Sequence, residues 1–275
     1  MTQSQFKRGA AAFGALSQSG GEIASKAEIT KFKSGTTLKV RVKGPYDLIQ
    51  YFAYGIFGKV NTFIAKNPPE RNQRGFVTGN ATPWDRASQY YYDLAAKDGA
   101  NADEYKNLGY QFKGKERFLM GFANLETGED IIVDLTKAQA QGIYETILEY
   151  CEKDADGNVI DGGEHEFAEM AFKLSKKGTS TSTSVTLAPI INLAKGLTDD
   201  ERKHFEATAD SEFDASLFDS VLYESDEEEM VKALVKADFD ISLLGLSIGG
   251  NGGQGGSDDA TPIEDEPISD DDLPF

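Results

Sequence analysis

Between Thr37 and Lys43 the chain alternates, with Leu38, Val40 and Val42 on one parity and Lys39, Arg41 and Lys43 on the other. A period of two predicts a strand with one apolar and one basic face. Gln50 to Phe57 and Val60 to Ala65 are aromatic and β-branched runs broken at Gly58, which predicts a meander or hairpin, and Gly44-Pro45 and Pro68-Pro69 mark turns. Pro83-Trp84-Asp85 opens a predicted helix through Arg86, Tyr90, Leu94 and Ala95 that ends near Gly99. Tyr110 to Asn124 and Asp130 to Val133 read as two strands joined around Glu126-Thr127-Gly128. In Thr136 to Cys151, Ile143, Ile147, Leu148 and Cys151 fall at helical spacing, whereas Glu166 to Lys177 returns to strand character. Gly178 to Ser184 holds only Gly, Ser and Thr and reads as a loop. Two short helices follow, one capped by Thr198 with Glu201, the other by Ser225 with Glu228.

The ends of the chain carry no such pattern. Residues 1–30 combine Phe6-Lys7-Arg8 with a small-residue stretch and read as a mobile basic arm, ahead of a body at 31–248. Residues 249–257 contain no apolar side chain and form a predicted flexible linker to an acidic tail at 258–275.

Hydrophobic residues make up 39% of the 275, which excludes chain-wide disorder. One cysteine, Cys151, and two histidines, His165 and His204, exclude a disulfide framework and any zinc site built from several Cys and His ligands. Cys151 is expected to be buried, and the histidines to lie on the surface. No apolar run approaches a membrane span and no persuasive signal peptide precedes the body, so the expectation is a cytoplasmic protein with no membrane partner.

The net charge of −18 argues at first against nucleic acid, but its distribution reverses that. Residues 1–125 carry +8, 126–195 carry −7, 196–248 carry −11 and 249–275 carry −8. Such asymmetry points to an anion-binding body with an acidic tail. Binding single strands without sequence choice requires cations along the backbone and exposed rings on which bases stack. Lys59 with Phe63, Arg71 and Arg74 with Phe76, Trp84 and Arg86 with Tyr90 to Tyr92, and Tyr110, Phe112, Lys113, Lys115, Arg117 and Phe118 interleave the two. Phe172, Lys173, Lys176 and Lys177 are candidates for the far side of the same groove, together with Lys39, Arg41 and Lys43.

The chain ends Asp270-Asp271-Asp272-Leu273-Pro274-Phe275. A terminal aromatic with its carboxylate suits a hydrophobic pocket beside an arginine, while the aspartates suit a basic rim. This hexapeptide resembles the C-terminal tip of bacterial single-stranded DNA-binding proteins, which follows a Gly-rich linker. The resemblance implies that these six residues recruit replication, repair and recombination enzymes. Over roughly residues 1–245 the chain resembles instead the T-even phage helix-destabilising proteins in architecture. That likeness implies an α+β chain: an OB-fold β-barrel core with helical insertions, a disordered acidic C-terminal tail, and a Phe6-Lys7-Arg8 arm that makes binding cooperative through self-association. The segment near 66–109 stands where those proteins carry a zinc subdomain, but it has no Cys or His, so no zinc or other cofactor is expected, and Trp84 with Tyr90, Tyr91 and Tyr92 must stabilise it by packing. Acidic helices near 196–248 either pack on the body or face a partner.

The sequence shows no Walker loop, G-x-S-x-G, H-E-x-x-H or dinucleotide fingerprint, so no catalytic residue is assigned. Asp154 to Asn158 opens like a calcium loop, but His165 stands at the closing position. The expected function is a non-enzymatic coat for single-stranded DNA in phage replication or recombination, with duplex binding left open. Two alternatives stand beside it: an adaptor that mimics or sequesters the host protein's tail without binding DNA, and a nuclease or annealing factor.

Overall fold

The structure, a computed structural model, describes residues 28–160, 162–179 and 182–248. The arm's Phe6, Lys7 and Arg8, the Gly-rich linker and the acidic tip lie outside the described residues. The architecture is mixed α/β: a large, mostly antiparallel sheet with seven α-helices among the described residues.

The strands are β1 (Thr37–Arg41), β2 (Leu48–Ile56), β3 (Val60–Ala65), β4 (Glu70–Arg71), β5 (Val77–Gly79), β6 (Lys115–Asn124), β7 (Asp130–Thr136), β8 (Ala171–Lys177), β9 (Ser184–Pro189) and β10 (Glu224–Ser225). The main sheet runs β10-β3-β2-β6-β1-β8-β9, and β4 and β5 form a separate hairpin. Strand β6 organises the whole. One of its edges pairs with β2 through residues 115–120 and then with β1 at 123–124, while the other pairs with β7. Among the described residues no pairing joins the ends of this path, so the sheet is not a closed barrel, and the closed OB barrel implied by the resemblance is corrected. At the two ends of the path, α3 (Lys137–Glu149) lies against β9, and β10 pairs in parallel with β3.

Three packing layers follow from the alternation in β6. Met120 and Phe122 face Val40, Phe172, Leu174 and the apolar stripe of α3, Ala140, Ile143 and Ile147. Leu119 faces the other way, onto Tyr51, Phe213 and Phe218. Beyond β2 and β3, Trp84 is fully buried among Tyr54, Phe63, Phe112 and Met230, and its indole N–H donates to the Met230 carbonyl at 3.0 Å. The 66–109 segment is therefore fastened to the sheet by aromatic packing.

Helix α1 (Pro83–Lys97) begins one residue after Thr82, whose side chain and Asp85 form a capping box, and α3 begins after Thr136 with a second such box. Helix α2 (Ala102–Phe112) replaces the first part of the expected 110–124 strand. Gly109 and Phe112, three apart on one helical face, lie against α1 and the Trp84 cluster, and alternation starts only at Lys115. The strand expected from Glu166 begins instead with a 3-10 turn, Glu166–Glu169. His165 is buried, its Nδ1 accepting the Glu152 N–H at 3.1 Å and its ring stacked on Phe167, so it is not a surface histidine. Cys151 is buried, and burial pushes its thiol pKa up.

The acidic region packs on the body through α4 (Leu193–Gly196), α5 (Asp199–Ala207), α6 (Ser216–Val221) and α7 (Glu227–Lys236). Thr198 and Glu201 make the expected box. The next cap is Asp226 with Glu229, one residue later than expected, because Ser225 is taken into β10.

Candidate nucleic-acid interface

The basic face of β1 is turned inward. Lys39 pairs with Glu201 at 2.7 Å, and Lys43 pairs with Asp130 at 2.8 Å while donating to the Glu212 carbonyl at 3.0 Å. Arg41 is buried, lies over the Phe205 ring at 4.5 Å, and donates to the carbonyls of Phe205 and Ala168. Burial also lowers its pKa. These three cations, expected to face phosphate, tie the α5 region to the sheet. Arg117 is likewise engaged: it forks onto Asp134 at 2.9 and 2.7 Å, and Tyr51 donates to the same carboxylate at 2.8 Å. Burial opposes the Arg117 charge, but Asp134 outweighs it and holds the pKa above the ordinary arginine value.

Other expected contacts go to the core. Phe172 and Phe112 are buried, and Phe118 packs against the α3 layer, so none offers a face for stacking. Lys176 is buried with its ammonium 5.9 Å from the Phe32 ring centroid. Arg86 donates to the Leu244 carbonyl at 2.7 Å, and Lys59 pairs with Asp238 at 2.7 Å. Lys173 and Lys177 are exposed on β8.

Apart from Lys173, Lys177 and the surface pair of Lys59, what remains gathers in one place. The end of α2, the start of β6 and the β4–β5 hairpin enclose a cleft lined by Phe52, Arg74, Tyr110, Lys113, Lys115 and Glu116. Lys113 stands 5.8 Å from the ring of Phe76, which is 57% exposed, and Lys115 stands 5.9 Å from the ring of Tyr110. Arg74 is exposed and its side chain has no hydrogen-bond or ion-pair partner among the described residues. Glu116 is the one carboxylate in the lining, and Lys137 at 3.1 Å and Gln50 hold it. The hairpin tip is ordered by Asn72, whose side-chain oxygen accepts the N–H groups of Arg74 and Phe76 at 2.9 and 3.1 Å.

Arg71 lies beneath this cleft rather than in it. Its guanidinium sits 4.1 Å over the Phe52 ring, pairs with Asp85 at 3.1 Å, and donates to Tyr54 Oη and the Gly75 carbonyl, each at 2.9 Å. Burial and the Asp85 carboxylate together raise the Tyr54 phenol well above its ordinary pKa. Gly114 makes room for this seat, since a Cβ there would stand 2.7 Å from Arg71 Nη2.

Of the expected residues, then, Arg74, Tyr110, Lys113 and Lys115 converge, with Arg71 as their support. Phe52 and Glu116 were missed as site residues. Only the pairing of Phe52 with Glu116 across β2 and β6 brings them to the cleft, and that register has no local signal. Among the described residues no group of three or more His, Cys, Asp or Glu side chains could hold a metal ion. No helix of the described residues is long and apolar enough to cross a membrane. No protein-family model, curated protein or solved structure matches the chain.

Proposed function

We propose that the protein is a sequence-nonspecific single-stranded DNA-binding protein whose contact begins at the Arg74–Lys113–Lys115 cleft. The observation that carries this reading is the convergence of these cations with exposed Phe76 and with the Phe52 and Tyr110 rings. Cations over ring faces suit a strand that offers phosphates and unpaired bases together. The duplex backbone offers the phosphates alone. In this reading the chain coats strands during phage replication or recombination, the arm at Phe6-Lys7-Arg8 promotes neighbour contacts, and the tip at 270–275 recruits partner enzymes.

The test is fluorescence anisotropy of labelled oligo(dT) and a matched duplex across a salt series, with the full chain and its R74E/K113E variant. Expected are salt-sensitive oligo(dT) binding by the wild type and, in the variant, affinity at least about tenfold lower, with a salt slope shallower by roughly 0.7 for each phosphate contact removed. Absence of oligo(dT) binding at low salt overturns the proposal.

One observation favours the adaptor as a second reading. With Lys39, Arg41 and Lys43 engaged internally, the positive stripe is interrupted, and a tail-displaying body needs no continuous groove. Binding of neither nucleic acid by a folded chain is the outcome that selects it.

A further inference from the structure

We infer that Arg71 is the positioning residue of the hairpin that presents Arg74 and Phe76, an inference that rests on reading the cleft as a nucleic-acid site. The hairpin at 70–79 is short, and its strands β4 and β5 pair only with each other. A two-stranded ribbon of this size has no stability of its own. Among the described residues, Arg71 is the only hairpin side chain that hydrogen-bonds to the body outside it.

Its contacts run in two directions. Inward, it reaches Asp85, which also accepts from the hydroxyl of Thr82 at 2.7 Å and from Tyr54 Oη at 2.8 Å, so the anchor is the capped first turn of α1. Outward, it holds the Gly75 carbonyl between Arg74 and Phe76 and sits 4.1 Å over the ring of Phe52, a wall of the cleft. A planar, forked cation can make all of these bonds at once while stacked on a ring, and an ammonium cannot. Arg71 is 92% buried, its side chain being 8% exposed, so it does not touch a strand in the cleft; it sets where Arg74 and Phe76 stand.

The experiment uses the full chain with R71K, which retains a charge for Asp85 but not the fork. Hydrogen exchange reads the Arg74 and Phe76 amides, and oligo(dT) anisotropy reads affinity in the wild-type and R74A/F76A backgrounds. Expected is faster exchange confined to residues 72–76 with α1 unchanged. Affinity should fall about tenfold in the wild-type background, within the range of one lost stacking contact, and little further in R74A/F76A, because the residues Arg71 acts through are already gone. Unchanged hairpin exchange, or an equal loss of affinity in both backgrounds, overturns the inference. If R71K unfolds, R71Q carries the same measurements, since its shorter, uncharged side chain cannot bridge Asp85 and the Gly75 carbonyl. If the wild type binds no oligo(dT), the nucleic-acid reading fails alone, and hairpin exchange still decides whether Arg71 positions the tip.

Discussion

Phe76 is a large apolar side chain left 57% exposed beside a lysine, and the fold gains little from it there. Phe76→Ala is therefore expected to leave the melting temperature within a degree or two of wild type while weakening oligo(dT) binding by about 1–3 kcal/mol, the range for one stacked base. Phe76→Tyr, which keeps the π-face, should restore most of the affinity. A second residue-scale prediction concerns Asp47. Burial raises its pKa, repulsion from Asp130 and Glu212 adds to this, and the Gly44 amide and Lys43 oppose it only in part. One of its carboxylate oxygens is buried with no hydrogen-bond partner. Because the folded-state pKa lies above the unfolded value, the ionised carboxylate destabilises the fold at neutral pH, and that penalty vanishes once pH falls below about 3.9, the unfolded value. Asp47→Asn should raise the melting temperature modestly at pH 7 and leave it unchanged near pH 3. A fall at pH 7 would show that the Lys43 attraction dominates.

At the scale of elements, β1 shows how a correct strand can carry a misleading face. Its period-two alternation is visible in seven residues, and the strand forms over the first five, Thr37–Arg41. Which partner meets the basic side is decided by Glu201, Phe205 and Glu212, all more than 150 residues away in sequence, and no local pattern announces them. Helices α1, α3 and α5 were legible because capping boxes and apolar spacing are local, whereas α2 was not, because Tyr110 and Phe112 suit either element until the packing on α1 decides. The cleft was half legible for the same reason: Arg74, Lys113 and Lys115 stand in the sequence beside aromatics, but Phe52 arrives through strand register. The inward face of β1 makes a prediction of its own. Arg41→Met removes the donor to two carbonyls and the contact with Phe205, leaving those oxygens short of a partner. It should destabilise the chain by about 1–3 kcal/mol in urea unfolding, with oligo(dT) affinity unchanged under conditions where the variant is folded. A large loss of affinity by the folded variant would return β1 to the binding surface.

At the scale of the molecule, the cations of the cleft and those of β8 form two patches rather than one groove. Lys115 projects from the same face of β6 as Arg117, Leu119, Gly121 and Ala123, and the Ala123–Arg41 and Lys39–Lys173 pairings carry that face through β1 onto β8. Between the patches the face is covered: Phe213 sits on Gly121, where a Cβ would meet its ring at 2.4 Å, and Phe205 covers Arg41. At about 3.3 Å per residue, the start of β6 and the Lys173 row lie roughly 30 Å apart. The cover belongs to the acidic stretch of the chain, so a strand leaving the cleft meets carboxylates before it reaches Lys173 and Lys177. Charge reversal at those two lysines should then have an effect that depends on strand length. With oligo(dT) of about 4 nucleotides, the short end of single-strand site sizes, K173E/K177E should bind like wild type, because the cleft alone is occupied. With about 16 nucleotides or more, the variant should lose affinity and show a shallower salt slope, because phosphates that would have released counterions at the second patch no longer do so. Equal losses at both lengths would mean that the β8 lysines act through the general field of the protein, and no loss at either would confine binding to the cleft.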